Sequence, residues 1–216
     1  RVCHAMEISI NEYLVSVYIW SVYTECLHGM PSKCPIRVAV PVNLRPYFNS
    51  ITTKNFFVMV SAEFHPTKET YTFAEVAAIV KESLRSQINR ENLEKLFSYN
   101  VSNEKLLIAR VVPLFLKNLA MKYVYTTSAL ANTATITNIG NISVTEEYRP
   151  YVEMFHAFLA MSKGQHLKGT ICSYGDTLVF SFSYDLVDAS VQRGFFRKIA
   201  SDGIAVEIKS NGVNYE

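Results

Sequence analysis

Apolar positions near the start of the chain run almost all the way round a helical wheel. In "SINEYLVSVYIWSVYTECL" only Glu12 and Glu25 are charged. Ser9 and Glu12 stand three apart, the spacing of a capping box, in which each side chain satisfies the other residue's amide. The pattern predicts a helix over 10–27 that is covered on most sides. A second capping box, Thr72 with Glu75, opens "TFAEVAAIVKESLRSQI". There Phe73, Val76, Val80, Leu84 and Ile88 share one face, the mark of an amphipathic helix. "RENLEKLFSYN" reads as a short helix. "NEKLLIARVVPLFLKNLAMKYVY" reads as a helix broken or kinked at Pro113, because proline lacks an amide donor and crowds the preceding turn.

Runs rich in Val, Ile, Phe and Thr predict strands over 36–42, 55–64, 133–141, 151–161, 167–174, 177–186 and 204–210. Pro41 removes a ladder donor, so the first strand should lie at an edge or end there. Gly175-Asp176 suits a tight hairpin turn. Asp188 caps a helix, "ASVQRGFFRKIAS", that stops at Gly203. No linker rich in Gly, Pro or Ser divides the chain. The fold class that follows is α/β, one domain over 1–216 with a mixed β-sheet flanked by helices.

With 216 residues, 49% of them hydrophobic, the chain can bury one substantial core. A net charge of +2 argues against nucleic acid or an anionic membrane surface as the main partner. The longest apolar stretch, Tyr13 to Tyr23, falls short of the about 20 residues that span a bilayer. Cys3, Cys26, Cys34 and Cys172 show no C-x-x-C spacing and read as reduced thiols of a cytoplasmic protein, with no metal site among them. The first residue is Arg1, which leads to the expectation of a fragment or a processed product.

Candidate chemistry is sparse. None of the five histidines opens an H-E-x-x-H motif, and none is followed by Asp four residues on. His156 shares an apolar strand face with Val152, Met154, Phe158 and Ala160, and is expected to be a hydrogen-bonded core residue. Asp185 and Asp188 could form an acid–base pair, but a strand end and a helix cap account for them. "TNIGN" (137–141) admits a turn, since Asn and Gly tolerate positive φ. It equally admits an amide, Asn138, that lines a cleft. "VAVPVNLRPYF" places Asn43 and Arg45 where a buried strand emerges.

The order of these segments carries a resemblance. A "SINEYLVSVYIWSVY" helix comes first, then a strand running into "PVNLRP". A strand ending in "TNIGN" follows, and last "LVFSFSYDLVDASVQRGFFRKI". This order resembles the C-terminal half of the chloramphenicol-acetyltransferase-like superfamily, which includes condensation domains, wax ester synthases and alcohol O-acetyltransferases. The resemblance implies one half of a two-subdomain enzyme with a tunnel between the halves. It implies acyl transfer from a thioester, acyl-CoA such as acetyl-CoA, to a small-molecule alcohol, with no bound cofactor. The base would be the His of an H-x-x-x-D motif in the N-terminal half of the same polypeptide. Histidine suits that task because it titrates near neutrality.

This chain has no H-x-x-x-D motif, so no catalytic residue is assigned to it, and alone it is expected to lack transferase activity. Asn43, Arg45 and Asn138 are the expected substrate-binding residues, with Arg45 weighted toward pinning loop carbonyls. Asp185 matches the superfamily's Tyr-Asp position and is expected to be structural. The alternative is a non-catalytic interaction or carrier-binding module of the same half-fold. A stand-alone enzyme that uses one of its five histidines at a trimer interface, with His156 or His65 at the cleft, is the third reading. Separately, the cleft face of an unpaired half can pair with itself.

Overall fold

Helix α2 (Ile10–Ser21) is the element around which the others pack. Its capping box forms: Ser9 Oγ accepts from the Glu12 amide at 3.1 Å, and Glu12 Oε2 accepts from the Ser9 amide at 2.7 Å. The helix continues as a π-turn over Val22–Cys26, so the predicted helix to 27 is met by two helical types in succession. Tyr13, Val15, Val17, Tyr18 and Ile19 are buried, which is what an all-round apolar pattern requires.

The computed structural model describes residues 1–105, 112–162 and 164–211. Ahead of α2 lies the short α1 (Val2–Ala5); after it come β1 (Ile36–Asn43), α3 (Arg45–Phe48) and β2 (Phe57–Phe64). Helices α4 (Phe73–Gln87), α5 (Arg90–Lys105) and α6 (Leu114–Leu130) follow, then β3 (Ala134–Asn141), β4 (Leu167–Tyr174), β5 (Thr177–Tyr184) and α7 (Ser190–Ser201). The sheet order is β2-β1-β3-β4-β5. The inner trio β1, β3 and β4 is parallel, and β2 and β5 pair antiparallel at the two margins. The sheet is therefore mixed and flanked by helices, as the segment pattern predicts. No described helix is long and apolar enough to cross a membrane.

Period-two alternation sorts the sheet residues onto two faces. Val38, Val40, Val60, Ala62, Ile136 and Ile171 point to α2, α4 and α7 and are buried. Gly169 belongs to this face: a Cβ there would stand 2.6 Å from the Phe180 ring. The opposite face carries Arg37, Ser61, Glu63, Thr135, Lys168, Thr170 and Ser181, brought side by side by the register. At the β2 margin, α4 side chains take the place of a further strand. Gln87 bonds both the amide and the carbonyl of Ser61, and Ser83 Oγ accepts from the Glu63 amide.

Four sequence-based expectations need correction. Residues 151–161 form no strand apart from a 3-10 turn at their start, Arg149–Tyr151. They run as an extended strap over β4, whose two edges are already taken by β3 and β5, so no ladder position is left. His156 is exposed and stacks on Phe158 at 6.5 Å, rather than lying in a core. Residues 204–210 form no strand either, because strand propensity alone cannot make one without a partner edge. Finally, β1 is an inner strand. The reading of a helix through Pro113 falls partly on 106–111, outside the described residues. After it, the Pro113 carbonyl accepts from the Leu116 and Lys117 amides and starts α6.

Candidate functional site: a crevice between β1 and β3

Pro41 explains how an inner strand tolerates a proline. The Arg37 carbonyl accepts from the Thr133 amide at 2.8 Å, so Arg37 turns its main chain toward β3. Two-residue periodicity turns Ala39 and Pro41 the same way. Pro41 has no N–H to offer there. The β1–β3 register accordingly covers only Val38↔Ala134 and Ala39↔Thr135. Beyond it no register pair joins Pro41 or Asn43 to β3, so the ladder stops short of the C-terminal ends of these two parallel strands.

The chain connections mark the same place. From β1 the chain turns outward to β2, and from β3 it reaches β4 on the other side. The gap is the topological switch point of the parallel strands, where open α/β sheets bind ligands.

Asn43 and Asn138 stand at the strand ends that border the crevice, and both are exposed. Asn138 Oδ1 accepts from the Gly140 amide at 2.8 Å. That bond closes a bulge in the β3–β4 register at Asn138/Gly140, and Gly140 holds a φ of +85°, which suits glycine. The side-chain carbonyl oxygen of Asn138 thus serves the turn.

Arg45 is engaged differently. Its Nε donates to the Thr52 carbonyl at 2.9 Å, one terminal nitrogen to the Lys54 carbonyl at 2.7 Å, and the other to Asn43 Oδ1 at 3.1 Å. Of the five guanidinium N–H groups, two fix the 50–54 loop and a third holds Asn43. Asn43 Oδ1 also accepts from the Arg45 amide at 3.1 Å. Leu44, fully buried with Val58 and Leu93, anchors the turn between them. The three predicted site residues therefore gather at one end of the sheet, Arg45 and Asn43 in direct contact and Asn138 on the neighbouring inner strand. The crevice offers amides and main-chain groups; His65 and His166 stand at the opposite end, beside the start of β1 and β4.

At that opposite end lies a pair that the sequence reading missed. His166 Nδ1 and Asp185 Oδ1 are 2.9 Å apart, and the His166 carbonyl accepts from the Asp185 amide. Nineteen positions separate the two residues. Only the β4–β5 register brings them together, so no local motif announces the pair. The predicted cap at Asp188 needs correction: the N-cap of α7 is Ala189, which makes no side-chain cap bond, and Asp188, one residue earlier, accepts from the Ser190 amide at 2.9 Å. The bonds from Ser190 and the charge of Arg193 outweigh desolvation and hold its carboxyl below the usual range.

No family model and no curated protein matches this sequence. Solved structures do match in fold. The epimerization domain from the third module of tyrocidine synthetase B superposes with a TM-score of 0.55 at 11% identity, over 94% of this chain and 43% of that one. A nonribosomal peptide synthetase, FmoA3, gives 0.54 at 16% identity over 94% of this chain and 20% of its own. Polyketide synthase associated protein 5 from Mycobacterium tuberculosis gives 0.52 at 9%, over 92% and 45%. The chain thus spans less than half the length of each. What it shares with them is a fold, that of less than half of each of those chains.

Proposed function

We propose that this chain is the C-terminal half of an acyl-CoA-dependent O-acyltransferase of the alcohol acetyltransferase type, acting in the cytoplasm. The observation that carries the reading is the crevice at the switch point between β1 and β3. There the amide NH2 of Asn138 can donate to a thioester or pantetheine carbonyl, and Asn43 gives a second amide. Arg45 keeps the crevice in shape by fixing the 50–54 loop. The general base belongs to an N-terminal half of the same polypeptide with an H-x-x-x-D motif, since this sequence has none. That half would cover apolar side chains now in solvent, among them Phe115, Leu119, Met121 and Tyr123 of α6.

The test is CoA release from acetyl-CoA in the presence of a primary alcohol. This chain alone should release none, and turnover should begin when a half bearing H-x-x-x-D is joined to it. Asn138→Ala should weaken donor binding about tenfold, as expected for one lost hydrogen bond in a site, and lower stability by about 1 kcal/mol through the lost bond to the Gly140 amide. Arg45→Ala should lower stability and spare donor affinity in the folded fraction. Transfer by the isolated chain would overturn the assignment. The missing H-x-x-x-D motif also favours a second reading, a non-catalytic interaction or carrier-binding module. Donor binding without turnover, whatever half is joined, would establish that reading.

A further inference from the structure

We propose that the polar face of β4 beneath the strap is a binding site for an oxyanion, a phosphate or a carboxylate. Lys168 is only 9% exposed. Its ammonium donates to the Ala160 carbonyl at 2.8 Å and to Ser162 Oγ at 2.7 Å. Both acceptors are neutral, and among the described residues no carboxylate pairs with it. Asp185, at the end of β5, is engaged by His166. A buried cation is costly unless an anion compensates it.

Two residues along the same strand face, Thr170 is 2% exposed and its hydroxyl has no partner. A buried polar group without a partner is rare enough to require a reason. The register sets hydroxyls beside the two: Thr137 on β3, Ser183 and Ser181 on β5, and Thr135, whose own hydroxyl donates to Gln165 Oε1 at 3.1 Å. Gly169 and Ile171, between and beyond them, face the core. One ammonium among hydroxyl donors is the chemistry that recognises an oxyanion. The anion would take the remaining N–H of Lys168 and the hydroxyl of Thr170.

The strap forms the roof. Its Phe155 and Ala160 carbonyls are held by the side chains of Cys172 and Lys168, so it can part from β4 without breaking a ladder. Strand β3 stands between this site and the crevice, and the inference does not depend on the acyltransferase reading.

The test is titration of the protein with sodium phosphate and, separately, sodium acetate, against sodium chloride at matched ionic strength and neutral pH. Thermal midpoint and the amide NMR shifts of β4 are the readouts. One or both anions should give a saturable rise beyond chloride, with shifts centred on Lys168 and Thr170; the one that saturates identifies the headgroup. Lys168→Met should weaken the response about tenfold or more, and Thr170→Val about threefold, in line with charged and neutral hydrogen bonds. If Lys168→Met does not fold, Thr170→Val decides alone, because it removes only the hydroxyl. A response equal to that of chloride, or one that Thr170→Val leaves unchanged, overturns the proposal.

Discussion

The two faces of the sheet are built on opposite terms. One face meets α2, α4 and α7 through interlocking apolar side chains. Phe195 of α7 is fully buried, with Phe180 at 4.4 Å, Phe182 at 5.1 Å and Phe196 at 5.4 Å between ring centroids. The other face is a field of hydroxyls and charges, covered over β4 by a strap that lacks a ladder. Here one face holds the fold, and the other carries the polar groups of the proposed oxyanion site.

The packed face should be the fragile one. Phe195→Ala opens a cavity among three aromatic rings and is expected to cost about 3–5 kcal/mol, measured by chemical denaturation. A loss below about 1 kcal/mol would mean that the rings do not form the core as described.

A smaller effect belongs to the rim of this layer, where Arg85 of α4 reaches Glu12 of α2 with Nε at 2.7 Å. Burial acts to raise the Glu12 pKa, but the hydrogen bonds from Arg85 and Ser9 together outweigh it, so the net shift is downward from 4.5. A carboxyl with a depressed folded pKa stabilises the fold fully above its unfolded pKa. That stability is lost as pH falls through the folded value. Wild type should therefore lose stability below about pH 4.5, with Glu12→Gln about 1 kcal/mol weaker at neutral pH and flatter in acid. Parallel acid profiles for the two proteins would remove Glu12 from the account.

The smallest effect is expected on the strap. Phe158 is 67% exposed, and Phe158→Ser should change stability by no more than about 0.5 kcal/mol. A larger loss would show that the strap is packed as tightly as the core and would erase the contrast between the faces.

Much of the packed face is legible in the sequence. Both capping boxes form with their predicted partners, and five of the predicted strands pair in the sheet. These features are local, since a capping box spans three residues and a strand announces itself by propensity and period. The strap misleads because "YVEMFHAFLAM" has a strand's composition, while pairing depends on whether β4 has a free edge, which only the fold decides. For Pro41, a break in pairing is legible, but not the side on which it falls. That follows from the direction of the Arg37 carbonyl. Asn43 and Arg45 could be placed together from adjacency. Asn138 joins them only through the parallel β1–β3 register, and Lys168 and Thr170 become a site only when β3 and β5 flank them.

The hydrogen bonds of Gln87 and Ser83 to β2 also decide where the sheet stops. An outer strand normally presents a row of open donors and acceptors that can recruit another chain and seed aggregation. On β2, the main-chain groups of Ser61 and Glu63 are already taken by a carboxamide and a hydroxyl from α4. The helix that fills the core thereby also covers the Ser61–Glu63 part of this border of the sheet against the pairing of another chain.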